Sequence, residues 1–290
     1  MSLNEPIYKL KNIMKENYNR YNPKYFSFNP NAIQLLKENP EYIEWCYLSQ
    51  NTNPKVIDIF KSNIEKINWY YVVQNPNLYE LINYMNKDDY KYYYDLFSSN
   101  HKAISLMVDN YDKIDWHRLS FNENPIAIEL LMNNQHKINW TYLSKNSNTE
   151  ATKFLLNNIK KIDWNYFSLN ENEIAINFLK QNPKKINWDS LSKNPKAISI
   201  LNKNHNKIVW GSASMNSSLF ELNVNINYEE IEWCLLAKNP AIFELDYEKM
   251  TYNENYLNLY EDLIKEVMKP SRILKYMTED YDYIEELFGD

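Results

Sequence analysis

The chain has 290 residues, with 32 basic and 38 acidic side chains, a formal net charge of −6 and 15% aromatic residues. Its two glycines exclude both common glycine-rich phosphate loops, which need two or three closely spaced glycines, and no apolar run approaches the ~18 residues that a membrane-spanning helix requires. Charge is uneven: residues 241–290 hold 13 acids and 5 bases, a net of −8, so the remainder is close to +2.

In chain order, residues 1–22 (MSLNEPIYKLKNIMKENYNRYN) are amphipathic without the apolar core of a signal peptide. They predict an N-terminal capping helix. From Pro23 the chain repeats itself. Tryptophan marks the units at Trp45, Trp69, Trp116, Trp140, Trp164, Trp188, Trp210 and Trp233, at steps of 24, 47, 24, 24, 24, 22 and 23. Tyr94 fills the slot inside the step of 47, and Pro23 takes the marker place upstream. This gives ten units, numbered here 1 to 10 from Pro23 to about Leu245. Three residues after each marker stands an apolar residue, such as Leu48, Phe167 or Leu191. The next is usually serine, with Val73 and Ala237 the exceptions, and then comes an asparagine in every unit, among them Asn29, Asn75, Asn194 and Asn239. Four units insert two residues here and supply a second asparagine, which accounts for the two repeat lengths.

Asn-Pro-x-Ala-Ile-x-Leu-Leu reads as a helix start. The asparagine oxygen caps a free backbone N–H, and proline at the first helical position loses no hydrogen bond. A later asparagine (Asn39, Asn63, Asn110, Asn134, Asn158, Asn182, Asn204) closes the helix, where a left-handed conformation is expected of it in a chain so poor in glycine. Asn68, Asp115, Asn139, Asp163 and Asn187, each just before a tryptophan, are placed to cap a second, shorter helix, Trp-x-x-Leu-Ser. The predicted fold is therefore all-α: a right-handed α-solenoid of about ten 22–25-residue two-helix repeats at 23–245, with helical caps at 1–22 and, acidic, at 246–290. Stacked at roughly 8–10 Å, ten units would span roughly 80–100 Å. The tryptophans, fixed in register two residues after a steady isoleucine, are expected in the core between units. Each indole N–H is then expected to find a backbone carbonyl. Cys46 and Cys234, eight units apart, would not meet in a rod, and free thiols point to a reducing compartment rather than secretion.

The Trp-x-x-Leu-Ser-x-Asn-Pro-x-Ala-Ile-x-Leu-Leu pattern resembles a repeat family of giant DNA viruses, mimivirus-like in type. Val267–Met277 with Tyr281–Phe288 resembles a segment often attached to such repeats, with Lys269 and Thr278-Glu-Asp standing where the family has histidine and glycine. A fold relative is the leucine-rich-repeat-variant solenoid. The resemblance implies a helical-repeat fold and a viral origin, acting in host cytoplasm or virion, and implies no activity.

Chemistry-bearing sets are sparse. The four histidines (His101, His117, His136, His205) lack metal-ligand spacing, the cysteines lack a C-x-x-C partner, and Glu229-Glu230 and Glu285-Glu286 are adjacent pairs that diverge on a helix. No enzyme activity, metal or cofactor is predicted. Two features are candidate partner-binding surfaces. Tyr25, Tyr47, Tyr71, Tyr142 and Tyr166, two after the marker, would form a stripe suited to protein contacts or to packing at the core edge. Lys180, Lys184, Lys185, Lys193, Lys196, Lys203 and Lys207, against one acid, form a solvated charged face or a surface for an acidic partner or a phosphate backbone. The function this predicts is a non-catalytic protein–protein interaction scaffold or adaptor with an unknown host or viral partner. The alternative is RNA binding through the Lys180–Lys207 face, and no membrane association is expected.

Overall fold

The computed structural model describes residues 6–104, 107 and 110–247. The chain is mostly helical and falls into two compact units, one of residues 10–243 and a smaller one of residues 1–9 with 244–290. The described residues of the smaller unit are few. Asp246 N–H donates to the Ile7 carbonyl at 2.8 Å, and Lys9 lies 3.9 Å from Glu244. The expected acidic cap at 246–290 lies outside the described residues from 248 onward.

Within the larger unit the pattern is clearest in units 5 to 8: a short helix at the marker (Trp164–Phe167), a longer helical stretch after the asparagines (Glu173–Gln181), and a one-turn 3-10 helix (Pro183–Lys185), whereas units 9 and 10 follow the short helix only with the 3-10 turns Leu219–Glu221 and Pro240–Ile242. This third element corrects the two-helix expectation. Its cause is the closing asparagine. Asn182 sits at φ −125°, ψ 61°, which is not left-handed, and its Nδ2 donates 2.9 Å back to the Phe178 carbonyl. Asn39, Asn63, Asn134, Asn158 and Asn204 donate in the same way to the carbonyl four residues earlier. One of the orphan carbonyls of the helix end is thereby satisfied by a side chain, and the backbone is free to start a new turn, with Lys185 N–H donating to Asn182 O at 2.9 Å. At the short helices Asp115, Asn139, Asp163 and Asn187 accept from backbone N–H groups as N-caps. Asn68 instead donates to Cys46 Sγ at 3.5 Å.

The core is polar in a regular way. Leu48, Phe97, Leu119, Phe167 and Leu191 are fully buried, but so are the serines and asparagines that follow them. Each buried asparagine completes a set of bonds. Asn170 Nδ2 donates to Ser144 O at 3.2 Å and Asn146 O at 2.8 Å, both in the preceding unit, and its Oδ1 accepts from Asn172 N–H at 2.9 Å. The serine ties the same junction differently. Ser144 Oγ donates to its own Trp140 carbonyl at 2.7 Å and accepts from Asp163 N–H of the next unit at 3.0 Å. Burial without partners would cost ~1–3 kcal/mol per polar group, so the alternating Ser and Asn are stable inside only because neighbouring units complete them.

The asparagine ladder runs from unit to unit and returns to its origin. Asn51 donates to Asn29 O at 2.9 Å, Asn239 donates to Asn216 O at 2.7 Å, and Asn29 donates to Ala237 O at 3.2 Å and Asn239 O at 2.7 Å. A side ladder does likewise, Asn53 to Pro30 O at 2.6 Å and Asn31 to Pro240 O at 3.2 Å. Units 1 and 10 are therefore neighbours. This corrects the open array of 80–100 Å and the N-terminal capping helix. Residues 8–22 divide into strand Tyr8–Leu10, helix Asn12–Glu16 and 3-10 turn Tyr18–Arg20. There is no free end to cap. The segment instead buries Met14 and sets Arg20 4.7 Å over the Trp233 ring and Lys11 4.9 Å over Phe220, both in the last two units.

Tryptophan also differs from expectation. Trp45, Trp69, Trp116, Trp140, Trp164, Trp188 and Trp210 are half-buried, and only Trp233, 6% exposed, belongs to the core. Trp140 and Trp164 stack on Phe154 and Phe178 of their own long helices at 5.7 and 6.0 Å. In five units the lysine that ends the 3-10 turn lies over the marker ring: Lys66 over Trp45 at 5.1 Å, Lys113 over Tyr94 at 4.5 Å, Lys137 over Trp116 at 4.1 Å, Lys161 over Trp140 at 5.8 Å and Lys185 over Trp164 at 4.8 Å. A half-buried ring keeps one face for this cation–π contact. The residues that seal the junction are the preceding isoleucines, with Ile67, Ile114, Ile162 and Ile208 at most 8% exposed. The Trp233 indole N–H is buried without a hydrogen-bond partner.

Candidate interaction surface

The short helices carry the candidate surface. Their second and fifth residues after the marker are three apart, so they share one helix face. The tyrosines at the second position do not make one unbroken stripe. Tyr25 and Tyr47 stack at 5.4 Å, Tyr71 meets Tyr70 edge-on at 5.2 Å, and Tyr142 meets Tyr166 at 6.2 Å. Between the two groups stand Leu96, buried, and Arg118. Tyr142 is exposed and the other four are half-buried.

Of the fifth-position residues only Lys193 was a candidate from the sequence, and there only as part of the lysine cluster; the others were missed, although the three-residue spacing marks them. The two positions, with Asp115 and His117, line a recess of about 720 Å³ running from Gln74 in unit 3 to Leu169 in unit 7, with Phe121, Tyr142, Tyr166, Arg118 and Lys145 among its lining residues. Gln74 is shared with a second recess of about 370 Å³ built from Phe28, Gln50, Tyr70 and Tyr71. A third, about 260 Å³, contains Tyr25, Tyr47 and Cys46.

The polar groups of the main recess are fixed from behind. Arg118 Nε lies 3.4 Å from Asp95 and 3.5 Å from Asp115, and Asp115 also accepts the Arg118 backbone N–H at 3.1 Å. The Lys145 ammonium rests 4.9 Å over the Phe121 ring. Burial pushes its pKa below the ordinary lysine value, partly offset by Glu171 and Glu123. In the third recess Cys234 and Tyr47 raise the Tyr25 hydroxyl, which stays neutral. Cys46 and Cys234 thus stand on either side of unit 1, a correction to their expected separation, and both are free thiols.

The lysines of 180–207 do not all share one face, since Lys193 and Lys196 stand apart from the rest. Lys180 and Lys203 close long helices, Lys184, Lys185 and Lys207 sit in 3-10 turns, and Lys196 lies in the turn Pro195–Ala197, all exposed. Lys193 is half-buried on the short helix Trp188–Lys193. It pairs with Asp189 at 3.0 Å, and Asp189 also bonds Ser212 Oγ. The Ser212 hydrogen bond, followed by that of Lys193, holds the Asp189 carboxyl below its usual range. Lys185 is engaged with Trp164 as described.

Among the described residues no group of three His, Cys, Asp or Glu could hold a metal ion, and no helix is long and apolar enough to cross a membrane. No family model matches the sequence, and no curated protein or solved structure matches it.

Proposed function

We propose that residues 23–245 form a right-handed array of ten helical repeats closed on itself, and that it is a non-catalytic protein-interaction scaffold. Its partner docks on the short-helix face. The observation that carries this reading is the 720 Å³ recess, where aromatic side chains from units 5 to 7 converge around two cations held by their own neighbours. Tyrosine and phenylalanine give large contact area at low entropic cost, and prepositioned Arg and Lys add direction. A closed ladder leaves no exposed repeat end and holds the recess formed before a partner arrives, which lowers the ordering cost of binding. The resemblance of the repeat to giant-virus proteins supports a host or viral protein as partner and host cytoplasm or virion as location.

The test is affinity capture from host extract with wild type and with a Tyr142→Ala, Tyr166→Ala double variant. A protein retained by wild type and lost by the variant supports the reading. Capture of nucleic acid alone, or equal capture by both forms, overturns it.

A further inference from the structure

The lysine pattern leads to a second surface, independent of the recess. The 3-10 turns of units 5 to 8 are Gln135–Lys137, Ile159–Lys161, Pro183–Lys185 and His205–Lys207. They carry His136, Lys137, Lys160, Lys161, Lys184, Lys185, His205 and Lys207, with no acid in any of the four. The flanking turns end the run. Tyr111–Lys113 contains Asp112, and Leu219–Glu221 contains Glu221. Lys180 and Lys203 extend the same edge from the last turns of the long helices that lead into it. Because the units are joined in order by the asparagine ladder, these turns come from four successive neighbours. They repeat at roughly the 8–10 Å of packed helices.

We propose that this edge binds the phosphate backbone of a nucleic-acid duplex. Three features favour that partner. The charges are lysine point charges at regular intervals without arginine, which suits phosphates contacted independently of sequence rather than bidentate recognition. Three of the four tryptophan rings along this run, Trp116, Trp140 and Trp164, are covered by Lys137, Lys161 and Lys185, at 4.1, 5.8 and 4.8 Å, so a single strand finds no continuous row of platforms. A protein partner would need an aromatic or arginine anchor, and these turns offer only Ile159, 44% exposed. The acidity of the whole chain does not oppose this locally. Residues 1–240 net about +2, and at 0.15 M salt charges farther than about 8 Å are largely screened.

The experiment titrates the full chain into a labelled 20-base-pair duplex, in DNA and RNA arms, from 50 to 200 mM salt. Binding is expected in at least one arm, weakening with salt by about 0.9 log units per log unit of salt for each phosphate engaged. Lys160→Glu with Lys184→Glu should lower affinity at least ~10-fold and flatten that slope by about two. Lys37→Glu with Lys61→Glu makes the same charge change on exposed helices of units 1 and 2 and should leave affinity within ~2-fold. Circular dichroism confirms that both variants are folded. The proposal is overturned by no binding at 50 mM salt, by equal loss in the two variants, or by a polyglutamate chain competing as well as unlabelled duplex.

Discussion

The junction between units 6 and 7 and the junction between units 10 and 1 are built from different sequences and end in the same ladder. At the first, Ser144 bridges Trp140 to Asp163, and Asn170 bonds Ser144 O and Asn146 O. At the second there is no serine, because Ala237 stands in its place, and the later unit has no marker tryptophan, because Pro23 stands where the first junction has Trp164. Yet Asn29 reaches Ala237 O and Asn239 O, and Lys238 spans the gap over Tyr25 at 4.8 Å and Tyr47 at 4.9 Å. The junction between units 3 and 4 agrees: Val73 lacks the hydroxyl, and Asn100 still bonds Val73 O and Asn75 O. Two carbonyls per junction are buried whatever the neighbouring side chains are, and only a carboxamide at this position satisfies both while accepting a third bond. Serine and tryptophan improve a junction; asparagine makes it.

The sharpest way to break this comparison is to remove the asparagine at each junction in turn. Asn170→Ala strands two buried carbonyls and one N–H and should destabilise by about 2–4 kcal/mol. Asn29→Ala should cost the same within about 1 kcal/mol, because its partners in unit 10 are equally buried. In an open array Asn29 would keep only its local cap on the Asn31 N–H, and its loss would cost about 1 kcal/mol. Urea denaturation of both variants measures it, and an effect at Asn29 no larger than that cap, well below the effect at Asn170, would mean that units 1 and 10 are not joined.

A smaller effect ranks the serine. Ser168→Ala removes the bond to Trp164 O and leaves Asn187 N–H without its acceptor, an expected loss of about 1–3 kcal/mol. Ala237→Ser adds a hydroxyl to a junction whose two carbonyls Asn29 already satisfies and should gain little. A Tm raised by Ala237→Ser would show that the closing junction had room for the same bridge.

Much of this was legible in the chain and some was not, for physical reasons. The register of Trp, Ser and Asn marks the units because each residue type answers one local need, a cap or a helix start. Closure leaves no local signature. Asn29 looks the same whether its acceptor lies in a preceding unit or 210 residues away at Asn239. The burial of tryptophan was misjudged because periodicity reports that a residue is fixed, not which of its faces is covered. The lysines that cover it, such as Lys161 and Lys185, read as surface charge until the 3-10 turn of the same unit is seen to return over its own marker. The recess was half legible: the second-position tyrosines stand out by composition, whereas Phe28, Gln74, Phe121, Lys145 and Leu169 share a position but no chemistry.

Lys145 and Lys238 occupy that same fifth position in units 6 and 10, and the last and smallest effect separates recess from closing junction by pH. Lys145 loses hydration over Phe121, and its folded pKa is lowered by burial, with Glu171 and Glu123 offsetting part of that. The sign follows from linkage. Between the lowered folded value and the ordinary lysine pKa of about 10.4, the unfolded chain binds more protons than the folded one, so stability rises with pH. Below the folded pKa the buried ammonium is a standing cost. Lys145→Met abolishes the titration, keeps comparable apolar volume against Phe121, and gives up a cation–π contact of about 0.5–2 kcal/mol. Wild type should therefore gain on Lys145→Met between pH 8 and 10, since all other titrations cancel in the difference. Equilibrium denaturation across that range measures it. A difference that stays flat would place the amine in water, outside the recess, and Tyr142 and Tyr166 would then have no buried charge behind them.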